Sequence, residues 1–106
     1  MKIDWEQKIQ NLEGGDATEN YLDAENKPAS RPLTLGRACI GAILDPTASR
    51  EMKGQQKYDC ARLSMTIGRG GEVSIDEVAL IKRMVGELYA PWLVGQVWSR
   101  LEGTEL

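Results

Sequence analysis

The 106-residue sequence contains no histidine, no phenylalanine and only two cysteines. Without histidine, the Ser–His and Cys–His pairs of nucleophilic catalysis are excluded within the chain. A Ser/Lys or Cys/Lys pair stays open, although no spacing points to one. Two cysteines are too few for a structural zinc site, and no acidic residues recur at the spacing of a Ca²⁺ or Mg²⁺ loop. We therefore predict no catalytic residues, no cofactor and no metal site.

The sequence also lacks a long apolar segment. No run approaches the roughly 18 residues that a membrane span needs, and the first residues are too polar for a secretory leader. Cys39 and Cys60 fall in two different predicted helices. We expect both to be reduced and packed as small apolar side chains. These features predict a protein of the cytoplasm with no membrane contact.

The net charge of −3 is small, but its distribution is uneven. Residues 1–30 carry seven acidic and three basic side chains, residues 31–70 carry three and seven, and residues 71–106 carry six and three. The middle of the chain is a basic island between acidic flanks. This pattern favours contacts within the chain or within a homodimer. It argues against nucleic acid as a partner, because the flanks would repel phosphates.

Length and composition predict a single domain over residues 1–106, with a partly irregular segment over residues 1–32 and a helical core over residues 33–103. Within residues 1–13 the helical spacing of Trp5, Ile9 and Leu12 favours a short helix. The alternation of Ile3 and Trp5, followed by Gly-Gly-Asp, would instead suit a strand and a hairpin turn. Residues 14–32 are polar and predict an acidic, mobile surface loop.

Helices are predicted over residues 35–44, over residues 50–67, from Ser74 to the residue before Pro91, and from Pro91 to a cap at Gly103. Thr34 is the expected N-cap of the first helix, and Thr47 or Ser49 that of the second. Ser74 and Glu77 form the S-x-x-E capping box. The predicted fold is all-α, a compact bundle of four to five helices with an acidic N-terminal loop.

Three short motifs resemble those of small proteins encoded by tailed phages and prophages. They are LTLG at residues 33–36, VALIK at residues 78–82, and the Y-x-P-x-x-x-G-Q turn formed by Tyr89, Pro91, Gly95 and Gln96. The resemblance covers about two thirds of the chain. It implies a phage origin and a host cytoplasmic location, and it carries over no activity and no catalytic residue.

Two groups of side chains are candidates for contact with a protein partner. Tyr89 and Trp92 flank the Pro91 bend, and Trp92 lies off the apolar stripe of its helix, so it is predicted to be partly exposed. Exposed Trp, Tyr and Arg are common interface anchors. Arg50, Lys53 and Lys57 form a basic stripe on one helix face, for which a merely solvated surface is the alternative.

The residues therefore predict binding and not catalysis. The leading hypothesis is a small phage-encoded protein that acts stoichiometrically on a host or phage protein as an inhibitor or modulator. A component of the virion or of tail assembly is the second hypothesis. An accessory protein that binds nucleic acid through the basic stripe is the third.

Overall fold

The fold of this chain is mixed α/β. The computed structural model describes residues 2–104, and for Ala48 and Ser49 it describes only the backbone. In chain order the elements are β1 (Thr18–Leu22), β2 (Pro28–Pro32), α1 (Leu35–Ile43), α2 (Pro46–Ser49), α3 (Gly54–Gly68), α4 (Ile75–Leu88) and α5 (Pro91–Glu102). The all-α prediction is wrong, because residues 14–32 contain a two-stranded sheet where a mobile loop was expected.

β1 and β2 form an antiparallel hairpin in which Thr18 lies opposite Pro32 and Leu22 opposite Pro28. Its turn is held by Asp23, whose carboxylate Oδ1 accepts the main-chain N–H groups of Glu25 and Lys27. Asn26 takes the left-handed conformation that this turn requires, with φ 61°. Main-chain hydrogen bonds hold the two strands together, so their polar composition did not reveal them.

The N-terminal segment contains no helix between residues 2 and 13, so the favoured helix is wrong there. Ile9 instead inserts at the base of the hairpin, where its N–H donates to the Leu33 carbonyl and its carbonyl accepts the Ala17 N–H. A tight turn follows, with Gly14 at φ 87°, and an isolated bridge joins Gln10 to Asp16. The hairpin-turn alternative was therefore nearer to the structure.

α1 is the central helix and contacts α3, α4 and α5. Its predicted N-cap is confirmed, since the Thr34 hydroxyl accepts the Arg37 N–H at 3.3 Å. α3 begins at Gly54, four residues later than the predicted start, because Pro46 opens the one-turn helix α2 first. The N-cap position of α3 is Lys53, so the predicted cap position at Thr47 or Ser49 is wrong. The side chain of Ser49 lies outside the described residues.

The last two helices follow their predicted boundaries closely. The capping box of α4 is confirmed: Ser74 Oγ accepts the Glu77 N–H, and the Glu77 carboxylate accepts the Ser74 N–H. Pro91 is the first residue of α5, and Gly103 ends it with φ 71°.

One apolar core joins these elements, with buried side chains from the N-terminal segment and from the four longer helices. They include Ile9, Leu35, Ile43, Ile67, Ile81, Val85, Val97 and Leu101. Trp5 reaches the same core, and its indole N–H donates to the Gly71 carbonyl at 3.0 Å. Between residues 2 and 104, no helix has both the length and the apolar character needed to cross a membrane.

Candidate partner-binding surface

Trp92 lies in the first turn of α5, where Pro91 fixes the start of the helix. Its side chain is 37% exposed, as predicted from its place off the apolar stripe. It lines a shallow depression together with Asn11, Leu12 and Glu13. We call these four residues the Leu12–Trp92 surface.

Leu12 is the most exposed large apolar side chain of this surface, at 83%. It lies in a turn whose geometry is fixed by Asn11: the side-chain Oδ1 accepts the N–H groups of Glu13 and Gly15, and the main-chain N–H donates to the Gly15 carbonyl. The turn thus presents Leu12 to solvent from an ordered backbone. Sequence reasoning missed this residue because it assigned Leu12 to the buried stripe of a helix that does not form.

Tyr89, the other aromatic candidate, makes its polar contact inside the fold. Its hydroxyl donates to the Ala38 carbonyl at 2.6 Å, across the packing of α4 against α1. Gly41 leaves room for it, since a Cβ there would lie 2.8 Å from the hydroxyl oxygen. Tyr89 therefore positions the bend before α5. That it also contacts a partner remains a prediction.

Trp98 is likewise used within the fold. Its indole N–H donates to the Lys82 carbonyl at 3.0 Å. The Lys82 ammonium group lies 4.6 Å from the centre of the indole ring and pairs with the carboxylate of Glu102. These contacts join α4 to α5. Trp5 and Trp98 thus use their indole N–H groups within the fold, whereas no hydrogen bond to a described residue is formed by the indole of Trp92.

Arg50, Lys53 and Lys57 do not share a helix face as predicted, because α3 begins at Gly54: Arg50 and Lys53 precede the helix and Lys57 lies in its first turns. All three residues of the basic stripe are exposed. None of the three forms an ion pair with a residue in the described part of the chain. The Lys53 main-chain N–H donates to Gln56 Oε1 at 2.9 Å, and Lys53 is an exposed residue. No hydrogen bond, ion pair or ring contact described for residues 2–104 joins this stripe to Trp92.

The two cysteines are buried and unpaired. Burial raises the pKa of Cys39 to about 12, so its thiol is protonated at neutral pH and is a poor nucleophile. Burial also raises the pKa of Tyr89 to about 12, with further contributions from Cys39, Asp45 and Glu19. Among the described residues, no three His, Cys, Asp or Glu side chains converge as metal ligands would. What the surface offers is apolar and ionic contact.

Comparison with known proteins found no matching family model, no matching curated protein and no matching solved structure.

Proposed function

We propose that this chain is a binding protein that acts stoichiometrically on another protein, as an inhibitor or modulator, through the Leu12–Trp92 surface. The observation that carries the proposal is the display of Leu12, 83% exposed, on an ordered turn beside Trp92. The exposed parts of these two side chains make no apolar contact within the fold and so do not stabilise it. They offer a partner protein one aliphatic and one aromatic anchor.

The order of the turn supports this proposal on energetic grounds. Association is opposed by the entropy lost when loops and side chains become fixed at an interface. The hydrogen bonds around Asn11 already fix the backbone on which Leu12 lies. An apolar partner surface would then cover Leu12 and Trp92 with little further ordering of this chain.

The basic stripe indicates that the proposed partner has an acidic surface. Arg50, Lys53 and Lys57 have no ion pair among the described residues, so their charges are available to an acidic surface. The phage-like motifs of the sequence support a partner of host or phage origin, and hence action in the host cytoplasm.

The test is capture from infected host cells with wild-type chain and four single variants. Leu12→Ser and Trp92→Ala change the proposed surface. Ile75→Ser and Tyr58→Ala are matched controls, because Ile75 is 75% and Tyr58 59% exposed elsewhere on the molecule. A protein retained by wild type and both controls, and lost with Leu12→Ser and Trp92→Ala, supports the proposal. Equal retention by all five chains contradicts it.

A component of the phage particle is the second candidate, favoured by the open strand edge described below, through which copies of the chain could pair. Mass spectrometry of purified virions separates the candidates, since a modulator of a host protein is absent from the particle and an assembled component is present in it.

A further inference from the structure

The two outer edges of the β1–β2 hairpin differ in a way that determines what can pair with them. The bonds from the Leu33 N–H to the Ala17 carbonyl and from the Asp23 N–H to the Lys27 carbonyl bracket the ladder. In an antiparallel pair, hydrogen-bonded and non-hydrogen-bonded positions alternate. Glu19 and Tyr21 therefore direct their main-chain N–H and C=O groups toward β2. The main-chain groups of Thr18, Asn20 and Leu22 point away from β2, toward solvent.

The outward positions of β2 are Pro28, Ser30 and Pro32, and those of β1 are Thr18, Asn20 and Leu22. Both prolines lack the N–H that a further strand would need, so the β2 edge is blocked. The β1 edge keeps all its donors. Its three outward residues are exposed, and no hydrogen bond to a described residue occupies their main-chain N–H groups.

We propose that the β1 edge pairs antiparallel with the β1 edge of a second copy of this chain, about a two-fold axis at Asn20. This inference goes beyond the proposed function and uses a different surface. The pairing forms about six main-chain hydrogen bonds, two at the central Asn20 pair and two at each flanking pair of Thr18 with Leu22. The product is a four-stranded sheet with β2 at both ends.

Charge complementarity favours a second copy as the occupant. Two-fold pairing at Asn20 places Glu19 opposite Tyr21 of the second copy, so no like charges face each other directly. Each Glu19 carboxylate is already compensated within its own chain, at 2.6 Å from Arg31 Nε and 3.3 Å from Arg37 Nε. The Arg31 guanidinium also lies 4.2 Å from the centre of the Tyr21 ring.

The blocked edges limit the assembly to two chains. A strand edge that is open on both sides of a sheet invites open-ended growth. Here Pro28 and Pro32 end the sheet on both outer sides, so the contact is isologous and closed. Because one strand edge is smaller than a standard protein interface, the dimer is expected to be weak and visible only at high protein concentration.

The register supplies a matched pair of variants, since Asn20 lies opposite Ser30. Both N–H groups point away from the hairpin, so proline at either position removes no hydrogen bond within it. Sedimentation velocity over a concentration series should show a dimer for wild type and for Ser30→Pro, and only monomer for Asn20→Pro. Asn20→Lys, which requires no proline geometry, places two ammonium groups at the axis and should weaken the dimer several-fold, less so at high salt.

Hydrogen exchange of the Thr18, Asn20 and Leu22 amides adds a direct readout, because these amides should exchange more slowly as the protein concentration rises. A wild-type chain that stays monomeric at high concentration overturns the proposal. The proposal is also overturned if the dimer persists in both Asn20 variants. It is overturned as well if Ser30→Pro abolishes the dimer as fully as Asn20→Pro does. Protection of these amides only when a different protein is added would mean that the edge takes another partner's strand. Leu12→Ser and Trp92→Ala should leave the dimer unchanged, so failure here is distinct from failure of the proposed function.

Discussion

The side-chain amide of Gln96 is hydrogen-bonded at both ends to the main chain of Gln10. Its Oε1 accepts the Gln10 N–H at 2.8 Å, and its Nε2 donates to the Gln10 carbonyl at 2.5 Å. A side chain of α5 thus takes the place that a neighbouring strand would have beside the N-terminal segment. Gln10 immediately precedes the turn that carries Leu12, and Gln96 lies one helical turn after Trp92. This contact therefore holds the two halves of the Leu12–Trp92 surface together.

Gln96→Leu removes both hydrogen bonds. Because a hydrogen bond contributes about 0.5–1.5 kcal/mol and this pair is exposed to solvent, we expect the free energy of unfolding to fall by about 1–2 kcal/mol in urea denaturation. Gln55→Leu is the control, since among the described residues the Gln55 side chain bonds to Asp59 on its own helix and to no other element. A loss no larger than that of the control would mean that the Gln96–Gln10 contact does not stabilise the fold.

Gly41→Ala should be less favourable than an ordinary glycine-to-alanine change in a helix. Such a change commonly stabilises a helix by up to about 1 kcal/mol. At Gly41, however, the new Cβ would lie 2.8 Å from the Tyr89 hydroxyl and displace it from Ala38. The control is Gly54→Ala, which meets no atom within 4 Å. We expect the two free energies of unfolding to differ by about 1.5–4.5 kcal/mol, the sum of the lost hydrogen bond and the steric cost.

Removal of the hydroxyl tests the cause of that difference. In a Tyr89→Phe background, Gly41→Ala has no hydroxyl to displace and should behave like Gly54→Ala. A penalty that persists in the double variant would place the clash elsewhere.

The stability of the protein should fall at alkaline pH. The pKa values of Cys39 and Tyr89 are both raised to about 12, from ordinary values of 9.0 and 10.0. The folded state therefore holds these protons more tightly than the unfolded state. The resulting stabilisation is complete below pH 9.0 and is lost as the pH rises toward about 12.

Urea midpoints measured between about pH 8 and about pH 11 check this dependence. Tyr89→Phe should flatten the decline, because phenylalanine has no proton to lose, whereas Tyr58→Phe at an exposed site should follow wild type. A decline as steep in Tyr89→Phe as in wild type would show that Tyr89 does not contribute to it.

Charge reversal in the basic stripe should change the rate of association with the captured partner. Lys53→Glu/Lys57→Glu is expected to slow association most at low salt, with little change in dissociation, because exposed charges mainly act during encounter. Lys2→Glu/Lys27→Glu makes the same change in net charge outside the basic island. If both double variants slow association equally, the effect comes from the net charge of the chain and not from the position of the basic stripe. Salt-dependent binding of duplex DNA that the first pair abolishes would favour the nucleic-acid hypothesis instead.

The helices could be predicted where the signals are local. The capping box at Ser74, the Pro91 break and the left-handed Gly103 each depend on residues within one turn of the helix end, and all three occur in the structure. The start of α3 was missed because it depends on Pro46, which opens a separate turn first. The exposure of Trp92 could be predicted from helical spacing. The basic stripe could not be placed on one helix face in this way, because Arg50 and Lys53 precede α3.

The N-terminal third could not be predicted in this way, because its structure depends on distant partners. Ile9 is placed by main-chain bonds to Ala17 and Leu33, and Trp5 by its bond to Gly71. The spacing of Trp5, Ile9 and Leu12 fits a helix equally well, so periodicity alone favours the wrong element. That error concealed the exposure of Leu12, whereas the polar composition of residues 14–32 concealed the strand edge.

Calorimetric titration of the captured partner with wild-type chain and its surface variants tests the central claim most directly. We expect a defined stoichiometry for wild type, and a Kd at least about tenfold higher for Trp92→Ala and Leu12→Ser, as for anchors at the centre of an interface. Tyr58→Ala and Ile75→Ser should bind like wild type, and all variants should keep the wild-type circular dichroism spectrum. Wild-type affinity in both Trp92→Ala and Leu12→Ser would contradict the claim that this protein acts through the Leu12–Trp92 surface.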